Sequence, residues 1–388
     1  MKKNFYLFVA FVLSTSAACA QYTAIPDTNF ETALSEYDDI PGDNKVPTAN
    51  ISELTTLIIS SKEIADLTGI EDFTALETLN CYDNSLTTID LSKNTNLVTL
   101  NCSKNSLTAL DITNNILLKY LYFSYNYNIN TIDFSQNVKL NTVQCHSIGV
   151  TSFDITKNVD LEDFQAAYAD ITELDVTNNL KLKKLSIQSS DIKNIDLSKN
   201  TALTFLQCAW SKLTTLDLSN NLELTGIVMS VTDIKEMDFS KHTKLSFFAG
   251  NSKLEYLNLK NGNNKNFTTP PTYSNSLLTC VQVDDPVYSA ENWSDNNGQI
   301  TFSLEACPTL GIDSTIVQDF TIYPNPVNST LFIKTNKTID TYSLMNQLGT
   351  TVLKGSGKTI DVSQLASGIY YIKVLANNIW QTRKIVVE

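Results

Sequence analysis

Apolar residues recur along this chain in two alternating phrases. In "LTTIDLSKNTNLVTLNCSKNSL" (Leu86 to Leu107), Leu86-x-x-Ile89-x-Leu91-x-x-Asn94 is followed by Leu97-x-x-Leu100-x-Cys102-x-x-Asn105. The second phrase returns with Leu79, Leu100, Leu121, Val143, Phe164, Leu185, Leu206, Ile227 and Phe248 at its centre. The first returns at Ile89, Leu110, Ile132, Phe153, Leu174, Ile195, Leu216 and Met237, with a looser Leu257 after them. Each series advances by 21 residues, with a single step of 22. So steady a period predicts a solenoid in which each coil buries its apolar side chains against the neighbouring coils. Alternation within each phrase predicts short strands or extended turns, and a coil this short leaves no room for a helix.

The pattern L-x-x-L-x-C-x-x-N-x-L-x-x-L-D-L-x-x-N resembles the 21-residue nested class of bacterial leucine-rich repeat (the IRREKO type) over roughly Leu54 to Leu259. The first coil, "LTTLIISSKEIADLTGIEDFTAL", resembles the 22-residue internalin-type repeat. In that family the segment matching Leu57-Ile58-Ile59 lines the concave face, and Leu79-Asn80-Cys81 continues it one coil later. The resemblance therefore places the L-x-C phrase on the concave side and the L-D-L phrase on the convex side. It implies an interaction scaffold more readily than an enzyme.

Both ends of such a solenoid need covering. "PDTNFETALSEY" (Pro26 to Tyr37) has Phe30, Ala33, Leu34 and Tyr37 at helical spacing, with Asp27 or Thr28 placed to cap, so residues 21–53 are expected to form a helical cap. Residues 260–307 are expected to close the other end, with Cys280 and Cys307 bridged in an oxidising compartment. Cys81, Cys102, Cys145 and Cys208 share the inward position of Ile59, Phe123, Ile187 and Met229, and read as small buried hydrophobes. Adjacent strand residues face opposite ways, so Cys145 and His146 make no catalytic pair.

Charge and leader narrow the setting. The formal charge is −13, which argues against nucleic acid or anionic lipid as a partner. Lys2 and Lys3 precede the apolar run Phe5 to Leu13, and Ala18-Cys19-Ala20 offers a cleavage site, so residues 1–20 read as a signal peptide. A lipidated Cys19 is the rival reading, but Ser16-Ala17-Ala18 lacks the leucine such sites carry. No later apolar run approaches the ~20 residues of a transmembrane span.

The L-D-L phrase carries two polar columns. Asn94, Asn115, Asn137, Asn158, Asn179, Asn200 and Asn221, with His242 as the next rung, are expected to hydrogen-bond backbone where the coil turns. Asp90, Asp111, Asp133, Asp154, Asp175, Asp196, Asp217 and Asp238 form a file of like charges, repelling by about 1 kcal/mol per neighbour in water. Lys93, Lys157, Lys199 and Lys241 relieve part of that. A single file lacks the clustered ligands calcium requires, so no metal and no cofactor is expected.

On the concave side, Tyr82, Tyr120, Tyr122, Tyr125, His146, Tyr168, Phe205, Trp210 and Phe247 are expected to face outward among Asn80, Asn101, Gln144, Gln165, Gln188 and Gln207. Rings beside amides suit a protein epitope or a glycan, because rings give apolar area at low rotamer cost and amides give direction. The bland alternative is that the rings pack on one another along the column. Catalysis finds little support. There are two histidines, and Asp83 and Asp163 on the concave strands stand ~19 Å apart by strand spacing, against the 5–10 Å of glycosidase carboxyl pairs. A polysaccharide lyase acting through Asp154 and Asp175 is the enzyme-class rival.

After a linker (308–319), "FTIYPNPVNSTLFIK" opens a run of short β-rich segments, which predicts an antiparallel sandwich of about seven strands. Tyr323-Pro324-Asn325-Pro326, Leu348-Gly349, Leu365-x-x-Gly368-Ile369-Tyr370-Tyr371 and Arg383-Lys384 resemble, in order, the C-terminal sorting domain of type IX secretion substrates in Bacteroidetes-like bacteria. That resemblance implies that residues 320–388 engage the secretion machinery, with the chain then released or attached at the surface. The fold class expected is thus a β-rich leucine-rich-repeat solenoid with a short N-terminal helical cap, followed by a small antiparallel sandwich. The function expected is non-catalytic protein binding or adhesion, with carbohydrate binding as the alternative.

Overall fold

The structure, a computed structural model, describes residues 21–250, 253–267, 275, 277–293, 300–307, 320–335, 338–347, 350–376 and 379–388. The expected leader, the 308–319 linker and Leu348-Gly349 lie outside the described residues. The chain divides into two compact units, Met1–Pro308 and Thr309–Glu388.

The first unit begins with a mixed element. Strand β1 (Tyr22–Ala24) pairs antiparallel with β2 (Lys45–Pro47), accompanied by the short helices α1 (Thr28–Ala33) and α2 (Thr48–Ile51). Helix α1 is shorter than the Pro26–Tyr37 pattern predicts. It stops where the buried Leu34 caps it, and Tyr37 then closes a tighter turn onto the Leu34 carbonyl. Asp27 joins this element to the first coil. Its Oδ1 accepts from the N–H groups of Asn29 and Phe30, and its Oδ2 from those of Ala65 and Asp66 at 2.8 and 3.0 Å. Burial pushes the Asp27 carboxyl up, but these four donors outweigh it and hold it below the usual range.

The apolar phrases then stack as the period requires. Strands β3 (Thr56–Ile58), β4 (Thr78–Asn80), β5 (Thr99–Asn101), β6 (Tyr120–Tyr122), β7 (Thr142–Gln144), β8 (Asp163–Gln165), β9 (Lys184–Ser186), β10 (Phe205–Gln207) and β11 (Gly226–Val228) pair in parallel, each with the next. Strand β12 (Glu236–Asp238) belongs elsewhere, and β13 (Phe247–Ala249) completes the ten-stranded sheet beside β11. Central residues align in register, Leu79 on Leu100, Leu100 on Leu121 and so on to Phe248, and all are buried. Cys81, Cys102, Cys145 and Cys208 lie fully buried in the next inward row with Ile59, Phe123, Ile187 and Met229. Burial pushes the Cys81 and Cys208 thiols up to about 12 and raises those of Cys102 and Cys145. These thiols are inert packing groups.

The L-D-L side is turn and extended backbone through most coils, without helix. It becomes a strand at β12, where Met237 aligns with Leu257 of β14 (Tyr256–Asn258). Strands β15 (Cys280–Gln282) and β16 (Thr301–Ser303) extend this second parallel sheet. Helix α3 (Pro286–Asn292), capped by Asp285, and the buried Trp293 against Phe267 and Phe302 finish the core there. Cys280 and Cys307 are joined by a disulfide. One apolar cluster runs from Ile25 to Trp293.

The second unit is an antiparallel β fold. Strands β17 (Thr321–Tyr323), β18 (Thr330–Lys334) and β21 (Thr359–Asp361) form one sheet in the order β17-β18-β21. Strands β19 (Ile339–Met345), β20 (Thr351–Gly355), β22 (Gly368–Ala376) and β23 (Ile379–Val387) form the other, in the order β20-β19-β22-β23. Leu331, Ile333, Leu344, Ile360, Ile372 and Ile385 point into its separate core.

Candidate ligand-binding face

Each strand of the ten-stranded sheet buries its middle residue and turns the two flanking ones outward. Tyr120 and Tyr122 therefore flank the buried Leu121 on the open face, with Tyr120 exposed and Tyr122 half-buried. Burial, with the charge of Asp163 two strands away, raises the Tyr122 phenol above its usual range. Asn80, Asn101, Gln144, Gln165 and Gln207 continue the Tyr122 position along neighbouring strands. Amides and rings thus share one surface.

Phe205 and Phe247 occupy this face two strands apart, and their rings stack at 6.4 Å. They meet over Gly226, where an added Cβ would lie 2.9 Å from the Phe205 ring. Any larger residue at 226 would hold the rings apart. These two residues follow the bland expectation of ring-on-ring packing, while still leaving part of each ring uncovered. Beside Phe205, the small Ser186 leaves a recess of about 440 Å³, walled by Gln165, Lys184, Thr204 and Gln207.

His146 and Tyr82 are also half-buried. The His146 Nδ1 accepts the Ala167 N–H at 3.3 Å, and burial lowers the imidazole's affinity for a proton. This histidine is therefore neutral and holds backbone. The Lys104 ammonium sits 5.2 Å from the centre of the Tyr82 ring, and a hydrogen bond to the Tyr82 oxygen raises the lysine's pKa.

Tyr125, Tyr168 and Trp210 are placed differently from the strand-face expectation. The strands are only three residues long, so alternation ends before these positions. Ser61, Asp83, Lys104, Tyr125, Ser147, Tyr168, Ser189, Trp210 and Val231 all have φ between 53° and 60°. They form a column of left-handed turns, one per coil, at the corner where the chain leaves the sheet. Left-handed backbone costs a side-chain-bearing residue ~1–2 kcal/mol. Each coil offsets that with a bond to the next: Tyr125 N–H to the His146 carbonyl, Tyr168 to Gln188 and Trp210 to Ser230, all at 2.8 Å.

A second asparagine ladder follows this corner. The Asn84 Nδ2 donates to the carbonyls of Ile59 and Cys81, Asn105 to Cys81 and Cys102, and Asn126 to Cys102 and Phe123. Their Oδ1 atoms accept from Ile64, Leu86 and Leu107. The ladder ends there, because Ile148 and Ala169 occupy the next two positions and Ser190, Ser211 and Thr232 follow. Its sequence signal is the terminal Asn of the L-x-C phrase, at Asn84, Asn105 and Asn126.

On the opposite side, each aspartate of the file accepts the N–H of the residue two further on, from Ser92 on Asp90 to Ser240 on Asp238. Thr113, Thr156 and Thr177 add their hydroxyls. These are Asx turns. Hydrogen bonds from these serines and threonines lower the pKa of Asp90, Asp111, Asp133, Asp154, Asp175, Asp196 and Asp217. These turns give each aspartate a structural partner within its own coil. Among the described residues, no group of three His, Cys, Asp or Glu side chains is placed to hold a metal ion.

In the second unit, Asn325 of the Tyr323-Pro324-Asn325-Pro326 motif clamps the last strand. Its Oδ1 accepts the Val386 N–H at 2.8 Å, and its Nδ2 donates to the Lys384 carbonyl at 3.1 Å. Tyr323 stacks on Phe332, Arg383 lies over the Phe320 ring, and the Tyr370 hydroxyl donates to the Ala366 carbonyl. Gly368 begins β22.

Residues 321–388 match the family described as the secretion system C-terminal sorting domain. A stretch of 70 residues, 18% of the chain, is 37% identical to Internalin J of Listeria monocytogenes serotype 4b (strain F2365); it spans 8% of that relative's length. Among solved structures, the internalin InlF from Listeria monocytogenes str. 4b F2365 superposes over 74% of this chain and 97% of its own, with a TM-score of 0.50 and 21% identity. The plant peptide hormone receptor RGFR1, solved in complex with RGF2, superposes over 59% of this chain and 40% of its own, with a TM-score of 0.50 and 16% identity. At these identities the structures bear on fold alone. No helix among the described residues is long and apolar enough to cross a membrane. The first unit thus has an internalin-like leucine-rich-repeat fold, and residues 321–388 are a type IX sorting domain, which marks the chain as secreted or held at the cell surface.

Proposed function

We propose that the chain is a non-catalytic adhesin that binds a protein through the open face of its ten-stranded sheet, after its sorting domain has engaged the secretion machinery. One observation carries this reading: Tyr120, Tyr122 and the Phe205–Phe247 pair lie partly uncovered among amides, beside a recess of about 440 Å³. Partly exposed rings on a rigid sheet lose little entropy on binding, and a recess of this size takes one protruding side chain of a partner.

The test is adhesion of beads coated with the full chain to cell surfaces. Exchanging Tyr120 and Tyr122 together for alanine is expected to weaken retention about tenfold or more, with thermal stability held. Equal retention of wild-type and doubly substituted beads would remove the strand face from the account.

A further inference from the structure

We infer that the left-handed corner column is a second binding site, formed by Tyr125, Tyr168 and Trp210, for an extended, uncharged, equatorially linked glycan. It rests on export of the chain and is independent of the strand face. The three rings are 42%, 56% and 60% exposed. They occupy alternate coils, with Ser147 and Ser189 at the same position between them. Backbone bonds run from each corner residue to the coil beyond, so the column keeps the register of the sheet. Successive rings are thus two strand spacings apart, ~9.6 Å, and the outer two ~19 Å apart.

That spacing selects among ligands. Same-side residues of an extended peptide recur every ~6.7 Å and would fall out of step with the rings. A polyproline helix has a turn of ~9.3 Å, but it docks in grooves between neighbouring rings, and here a serine-bearing coil separates each ring from the next. Two sugars of an extended equatorially linked chain advance by about the ring spacing, so every second sugar can lay its C–H face on a ring. Aromatic faces carry the negative end of a quadrupole and attract such polarised C–H groups. The intervening serine hydroxyls leave space and can bond sugar hydroxyls.

Charge points the same way. From Tyr125 to Val231 the column contains no ionisable group other than the two phenols, although the chain as a whole is −13. Two residues past Ser189, Trp210 and Val231, the charges of Asp191, Lys212 and Asp233 are taken up in the inter-coil ion pairs Lys212–Asp191 and Lys253–Asp233, so charge beside the column is balanced. A neutral track on an acidic protein favours a neutral polysaccharide over an acidic one. The Tyr168 ring is also held in place: the Gln188 Nε2 donates to its hydroxyl at 2.8 Å, and Gln207 donates in turn to Gln188.

The experiment is calorimetric titration of the full chain with gluco-, xylo- and manno-oligosaccharides of increasing length, together with retention on insoluble cellulose. Affinity is expected to rise when the oligosaccharide first spans two rings and again when it spans three. Tyr168→Ala or Trp210→Ala should weaken binding by roughly three- to tenfold each, and loss of all three rings should abolish it. Tyr120→Ala with Tyr122→Ala should leave it unchanged. Binding that survives removal of all three rings overturns the inference. So does a proline-rich peptide that binds the column in place of sugar, or the absence of binding to every saccharide tried. In the last case, bead adhesion that still depends on Tyr120 and Tyr122 leaves the strand-face proposal standing.

Discussion

The Asn179 side chain reaches one coil back to the backbone of Asn158, donating from Nδ2 to its carbonyl at 2.9 Å and to that of Ile155 at 3.0 Å. The same pair of bonds recurs at Asn115, Asn137, Asn158, Asn200 and Asn221, all fully or almost fully buried. Neighbouring coils are thus joined inside the turn as well as along the strands. Asn179→Ala breaks two bonds but leaves each carbonyl a backbone donor, the Asn158 N–H on Ile155 and the Leu161 N–H on Asn158, so it should cost about 1–3 kcal/mol, read as a lower urea midpoint.

His242 stands in this ladder with one bond from Nε2 to the Leu218 carbonyl, at 3.1 Å. Burial lowers its pKa, and that of His146, below the usual imidazole value. In the unfolded chain both take up a proton near pH ~6.5. The unfolded state therefore binds more protons just below that pH, and stability should fall as pH drops through this window, levelling off once the folded-state histidines are also protonated. His242→Asn restores the ladder residue and should flatten the decline, measured as melting temperature from pH ~7.5 to ~5.

Val231 is β-branched and 43% exposed, yet has φ 58°. Asparagine tolerates that conformation far better. Val231→Asn should raise stability by about 1 kcal/mol by denaturant unfolding.

Asn325 joins the sorting motif to the final strand through Val386 and Lys384. Asn325→Ala should destabilise the second unit by about 1–3 kcal/mol and reduce the fraction of chain reached by protease on intact cells. Normal surface exposure in a destabilised variant would separate this clamp from sorting.

The particular residues show what a sequence pattern can and cannot carry. Leu79 to Phe248, the Asn94 column and the Cys280–Cys307 bridge were legible because a regular period or a compartment argument dictates them. The Asx role of Asp90 to Asp238 was half legible: repulsion along the file was evident, but the Ser or Thr two places on was not read as its partner. The left-handed corner was hidden, because side chains as different as Ser61, Trp210 and Val231 adopt it under the demand of the coil. Strand alternation alone places Tyr125, Tyr168 and Trp210 on the sheet face, but β6, β8 and β10 end before them. The Phe205–Phe247 contact depends on Gly226 between them, a relation across three coils that no local spacing reveals.

Hydrogen exchange of the full chain, free and bound to the surface protein that retains it, tests the assignment of the binding face most directly. The account predicts protection at Tyr120–Tyr122 and Phe205–Gln207, with the turns at Asp154 and Asp175 unchanged. Protection of the aspartate turns with an unaffected sheet would contradict it.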